Sequence, residues 1–157
     1  MRYMRRQRIE HTATTTTADA ATVYALLREG ATWPTWGPLD SFELEREGEG
    51  EPEGLGAVRI FRSGRVTGRD TVAELIPDRR FSYTHVSNLP IRDYRADVDL
   101  EPAEHGTRIR WVSTFDPKIP GTGPLLRRGL DGFVAKLVGG LAEHASRAGA
   151  REVSALT

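Results

Sequence analysis

Three side chains near the middle of the sequence carry groups that can move a proton. Tyr83 and His85 lie two residues apart in one predicted strand, and Tyr94 lies in the next. Because side chains at i and i+2 of a strand face the same way, the first two groups share one side of a sheet. An imidazole can act as a general base, and a phenol can donate a proton to a developing enolate or alkoxide. We therefore take these residues as candidate catalytic groups for metal-free chemistry.

Each of these groups also has a structural interpretation. A shift of the strand register by one residue would turn His85 outward, and a core tyrosine commonly satisfies its hydroxyl on backbone. If the inward interpretation holds, Trp111 and Ser113 of a later strand face the same space as Tyr94. Apolar walls with a few polar groups are typical of a small-molecule site.

Arg59 and Asp70 form a second candidate group. They lie on adjacent predicted strands separated by the turn sequence SGRVTG, so they can pair across a hairpin. Inside a cavity mouth, the guanidinium would lie over a carbonyl or carboxylate of a substrate. On the outer face, the pair would be a surface salt bridge of little energetic weight. The sequence favours the outer face over the cavity mouth, but it does not exclude either placement.

Two tryptophans lie three residues apart in ATWPTWGPLD, residues 31–40. This spacing places both indoles on one side of a helical turn, which Pro34 stiffens. They can be core residues, a lid over a ligand or a partner-binding patch. The pattern favours Trp36 as a core residue and Trp33 as a ligand contact.

Composition excludes several classes of function. The chain has 157 residues, 38% of them hydrophobic, which is enough for one domain with one core. Its 22 basic and 22 acidic side chains cancel, so no net field favours nucleic acid. No apolar run reaches the roughly 18 residues of a membrane span, and the absence of cysteine excludes thiolate chemistry. We expect a cytoplasmic monomer or homodimer without metal or other cofactor.

The elements that position these groups follow an α+β order. A threonine-rich strand over residues 9–17 precedes a helix that Asp19 caps and that runs to Leu27, and the tryptophan segment forms a short second helix. Six further strands are predicted at 41–46, 56–62, 66–75, 80–87, 92–101 and 107–115. A long amphipathic helix follows, with an apolar stripe at Leu126, Leu130, Phe133, Leu137, Leu141 and Ala145. This order predicts a seven-stranded curved antiparallel sheet around the final helix.

Charges on the last two predicted strands alternate with apolar residues. Hairpin pairing would place Asp97 and Asp99 opposite Arg108 and Arg110 on the solvent-exposed face of the sheet. We therefore interpret these charges as cross-strand ion pairs and not as catalytic groups. Four arginines in MRYMRRQR predict a disordered basic tail over residues 1–7, or an arm for an acidic partner. The domain is predicted to span 8–148, with a flexible tail at 149–157.

Four segments carry a resemblance to a known family: TWPTWGPLD, GLGAVRIFRSGR, RRFSYTHVSNLPIRDYRADVDLEP and HGTRIRWVSTFDPKIPGTG. Over residues 8–147 the chain resembles the SRPBCC superfamily, also called the START or Bet v1-like helix-grip fold, and within it the bacterial polyketide cyclase/dehydrase-like proteins. The resemblance implies a deep apolar cavity between sheet and long helix. Because members include cyclases, aromatases, lipid carriers and co-chaperones, it does not fix the reaction.

The resemblance also implies where a hydrophobic small molecule would bind. SNLP, residues 87–90, is similar to the gate loop of plant abscisic acid receptors, although a plain turn explains it as well. The expected function is that of a polyketide cyclase, aromatase or dehydratase using Tyr83, His85 and Tyr94. The alternative is a non-catalytic carrier or sensor of a lipid, quinone or other apolar metabolite. The expected ligand contacts are Trp33, Arg59, Asp70, Leu89, Trp111, Ser113, Phe133 and Leu137.

Overall fold

Within residues 6–156, which the computed structural model describes, seven strands form one antiparallel sheet. The strands are β1 (Gln7–Thr14), β2 (Ser41–Arg46), β3 (Val58–Ser63), β4 (Val66–Ile76), β5 (Arg80–Ser87), β6 (Ile91–Pro102) and β7 (Thr107–Pro117). Their order is β1-β7-β6-β5-β4-β3-β2, so every strand lies beside its neighbour in sequence except β1, which pairs with β7. The predicted α+β helix-grip fold is confirmed.

Three helices accompany the sheet: α1 (Ala20–Arg28), α2 (Trp33–Trp36) and α3 (Gly123–Ala155). Asp19 caps α1 as predicted, because its carboxylate accepts a hydrogen bond from the backbone N–H of Thr22 at 2.9 Å. A short 3-10 turn, Gly30–Thr32, leads directly into α2. The two short helices α1 and α2 therefore lie between β1 and β2, as the sequence indicated.

Helix α3 packs against β1 and β7 and also contacts α1 and α2. Gly140 allows its closest approach, since a Cβ there would overlap the backbone carbonyl of Trp36 in α2. The helix continues to Ala155, so it includes most of residues 149–157, the segment predicted from the sequence to be a flexible C-terminal tail. The predicted basic tail falls largely on residues 1–5, outside the described range, and β1 already begins at Gln7.

The core lies between the concave face of the sheet and the helices. Alternate residues of each long strand are buried on this face, as period-two patterning requires. The outer face of the sheet carries charged residues instead. The fully or almost fully buried core side chains include Ile9, Phe81, Ala96, Val98, Ile109, Trp111, Phe115, Val134, Leu137 and Leu141.

The outer-face charges pair differently from the hairpin prediction. Asp99 does lie opposite Arg110, but Asp97 lies opposite Val112 and the predicted partner for it is wrong. The guanidinium of Arg110 instead bonds to Glu10 of β1 at 2.9 Å, and Asp99 accepts from Arg80 of β5 at 2.6 Å. A central strand has neighbours on both sides, so long side chains reach the adjacent strand as readily as their hairpin partner.

Candidate ligand cavity

A cavity of about 330 Å³ lies between the first turns of α3 and the β3–β4 and β5–β6 hairpins. This volume is at the lower end of the range for small-molecule sites. None of the described residues that line it is charged, and its polar side chains are Ser63 and His85. The lining is formed by Leu39, Phe61, Ser63, Val66, Gly68, His85, Leu89, Leu125, Leu126, Gly129, Leu130 and Phe133.

His85 is the one acid–base group among the described lining residues. In the sheet it lies between Asp70 of β4 and Tyr94 of β6, and it shares the inward side of β5 with Tyr83, as predicted. Its ring meets the ring of Tyr94 edge-on, with centroids 5.4 Å apart. Burial lowers the pKa of the imidazole below 6.5, although the carboxylate of Asp70 opposes this shift. The neutral imidazole therefore predominates at pH 7.

The imidazole of His85 is also unpaired. No side chain or backbone group of residues 6–156 makes a hydrogen bond to either ring nitrogen. Ser63, the other polar lining residue, already donates its hydroxyl to the carbonyl of Pro38 at 2.8 Å. His85 is consequently the one polar side chain of the described lining that has no hydrogen-bond partner in the protein.

Tyr83 and Tyr94 lie behind the cavity wall and do not belong to its lining. The Tyr94 hydroxyl donates to Ser113 Oγ at 2.7 Å, and the ring centroids of Tyr83 and Tyr94 lie 6.3 Å apart. Burial raises the pKa of both phenols above 10.0. Both tyrosines belong to the aromatic core, so of the three predicted catalytic groups His85 alone belongs to the cavity lining.

Arg59 and Asp70 adopt a placement that neither sequence interpretation described. Both side chains are buried, and Asp70 accepts two hydrogen bonds from the guanidinium, at 2.8 and 3.0 Å. The same guanidinium donates to the carbonyl of Leu27 at 3.2 Å and lies 3.4 Å from Glu53. Neither residue of the pair lines the cavity. The pair therefore ties the end of α1 to the sheet, outside the cavity lining.

Trp33 belongs to the same buried cluster. It is 2% exposed, its Nε1 donates to the carbonyl of Leu27 at 3.1 Å, and its ring stacks on Phe61. The guanidinium carbon of Arg59 lies 4.8 Å from the Trp33 ring centroid, a cation–π contact. Trp36, 6% exposed, lies in the core as predicted. The structure thus places Trp33 in the core as well, outside the cavity lining.

The other predicted contacts divide in two. Leu89 and Phe133 line the cavity, whereas Trp111, Ser113 and Leu137 are buried in the core beside it. The helical stripe of α3 already contained Leu126, Leu130 and Phe133, so its period could have identified that wall. No sequence signal identified the remaining lining residues Leu39, Phe61, Ser63, Val66, Gly68 and Leu125.

The sequence profile of the family described as polyketide cyclase/dehydrase and lipid transport matches residues 6–149. The chain belongs to this family. Its members bind hydrophobic ligands, and the resemblance recognised in the sequence is confirmed. No curated protein matches the sequence at a significant level. In the part of the chain that is described, no helix is long and apolar enough to cross a membrane.

Solved structures share the fold. A START superfamily protein from Mycobacterium smegmatis is 13% identical, with a TM-score of 0.74 over 89% of this chain and 97% of that one. A Thermobifida fusca protein is 25% identical, with a TM-score of 0.73 over 89% and 93%. Norcoclaurine synthase from Thalictrum flavum, solved with dopamine and hydroxybenzaldehyde, is 11% identical, with a TM-score of 0.67 over 90% and 87%. At this level of identity, the first and third similarities concern the fold alone.

Proposed function

We propose that this protein binds a largely apolar small molecule in the cavity between α3 and the sheet and acts as its carrier or sensor. The observation that carries the proposal is the 330 Å³ cavity itself, whose described lining has no charged side chain. Burial of apolar surface in such a space supplies about 25 cal/mol per Å² before the costs of association. The family assignment supports a hydrophobic ligand.

Carriage is favoured over catalysis by the position of the phenols. A general acid must lie within hydrogen-bond reach of the reacting atom, but neither Tyr83 nor Tyr94 is among the described lining residues, and the Tyr94 hydroxyl already donates to Ser113. His85 alone could exchange a proton with a ligand from the described wall. One positioned base without a matching acid suits recognition better than cyclisation.

A cyclase, aromatase or dehydratase is the second candidate, and the unpaired imidazole is the observation that favours it. A neutral His85 in apolar surroundings can remove an α-proton from a carbonyl compound as a general base. Tyr94, in ring contact with His85, would then orient the imidazole. Native mass spectrometry identifies a co-purifying ligand, and chromatography with NMR of an added carbonyl compound of the same class, incubated with the protein, separates the candidates: an unaltered covalent structure supports carriage, and a cyclised or dehydrated product supports catalysis.

Two glycines of α3 provide a matched test of the cavity. A Cβ at either Gly129 or Gly132 would meet no atom within 4 Å, and Gly129 lines the cavity whereas Gly132 does not. Gly129→Leu should therefore fill the cavity and weaken the binding of naphthalene, an apolar probe, by at least about tenfold. Gly132→Leu makes the same chemical change on the same helix and should leave affinity within about twofold. Isothermal titration calorimetry at pH 7.5 measures both, and equal affinity in the two variants contradicts the assignment.

A further inference from the structure

The selectivity of the cavity follows from His85 and from the residue that makes room for it. We infer that the cavity selects neutral ligands with one hydrogen-bonding group, such as a hydroxyl, phenol or ketone, and that Gly68 sets this selectivity by seating the His85 imidazole. This inference rests on the proposed function, since it names the ligand class of the same site.

The described lining of the cavity has no cationic side chain that a ligand carboxylate could meet. The nearest buried cation, Arg59, is bound by Asp70 on one side and approached by Glu53 on the other, so that cluster carries no surplus positive charge. Desolvating an ion without a counter-charge is strongly unfavourable. The cavity therefore disfavours an anionic group, whereas a neutral polar group loses much less on entering.

A neutral imidazole carries one N–H donor and one acceptor nitrogen, whichever tautomer is present. Because no described residue uses either nitrogen of His85, a ligand that fills the cavity also removes these atoms from water. An alkane-like ligand leaves them unsatisfied, which is unfavourable. A hydroxyl or carbonyl that reaches the ring restores one hydrogen bond, so the ligand is selected for a single polar group.

Gly68 is the residue that positions the imidazole. It lies on β4 and lines the cavity. Asp70, two residues further along the same strand, is the cross-strand neighbour of His85. A Cβ at Gly68 would lie 2.6 Å from His85 Nε2 and would overlap Cε1. Any side chain there would thus displace the imidazole from its present place. Glycine is required here for close approach and not for an unusual backbone angle.

The test uses three probes of one shape: naphthalene, 2-naphthol and 2-naphthoate. At pH 7.5, calorimetry should give 2-naphthol an affinity about 2- to 10-fold higher than naphthalene, and 2-naphthoate the lowest affinity. His85→Phe keeps an aromatic ring but has no ring nitrogen, so the ratio of 2-naphthol to naphthalene affinity, measured within this variant, should fall to about one. Gly68→Ala should abolish the same preference. Gly68→Ala should also move the NMR resonance of His85 Hε1. The pKa of the His85 imidazole, measured by NMR, should rise because the displaced ring is more exposed to water. Gly132→Ala, in open space on α3, is the control and should change neither property.

The outcomes separate the two proposals. If wild type binds none of the three probes and purifies without a ligand, the proposed function fails. If all three bind equally, or the preference for 2-naphthol survives in His85→Phe, binding stands and the selectivity inference is overturned. If the preference and the His85 resonance are both unchanged in Gly68→Ala, Gly68 does not position the imidazole.

Discussion

Replacing Asp70 by Asn tests whether the buried ion pair is structural. The change is nearly isosteric, but it removes the charge that holds the Arg59 guanidinium through two hydrogen bonds. The guanidinium, which has no exposed surface, then keeps Glu53 at 3.4 Å as its one carboxylate partner among the described residues, beside the carbonyl of Leu27. Breaking a buried pair from one side costs about 3–5 kcal/mol. Since asparagine still accepts one hydrogen bond, we expect a loss of about 3 kcal/mol in the free energy of unfolding.

Urea unfolding at pH 7.5, followed by circular dichroism, measures this loss. The matched control is Glu43→Gln, which removes a carboxylate from an exposed pair with Arg62, also on β3. That pair should contribute less than about 1 kcal/mol. Naphthalene affinity of the folded Asp70→Asn variant should stay near that of wild type, because neither Asp70 nor Arg59 lines the cavity. A stability loss no larger than that of the control, or a loss of affinity without a loss of stability, would refute the structural role.

Two further predictions concern α3 and His85. Gly139→Ala should stabilise the protein by about 1 kcal/mol through helix propensity. Gly140→Ala should instead destabilise it by about 1–3 kcal/mol, because the added Cβ would overlap the backbone carbonyl of Trp36. Equal urea midpoints for the two variants would show that α3 and α2 do not touch at Gly140. Because burial lowers the pKa of His85, the unfolded chain takes up the proton first, so stability should fall as the pH drops below 6.5. His85→Phe should flatten that dependence between pH 7.5 and 5, and an unchanged slope would contradict the burial of the imidazole.

Much of the fold could be predicted because its signals are local. Alternation along β6 and β7, the Asp19 cap and the apolar stripe of α3 each depend on residues within one element. The pairing of Asp97 failed for the opposite reason, since each strand has two neighbours and the choice depends on the whole sheet. The helical extension to Ala155 was not predicted because the apolar stripe of α3 ends at Ala145.

The candidate site was only partly predictable. Parity along β5 determined by itself that His85 and Tyr83 share one side of the sheet, and the helical period determined that Phe133 belongs to the apolar stripe of α3. Tertiary structure alone decided that His85 borders empty space while Tyr83, Trp33 and Arg59 are packed among side chains. Whether an inward group meets a ligand or a neighbour depends on the volume left between α3 and the sheet. That volume depends on how closely α3 packs against the sheet. Contacts between residues far apart in the sequence determine this packing, and no local pattern encodes them.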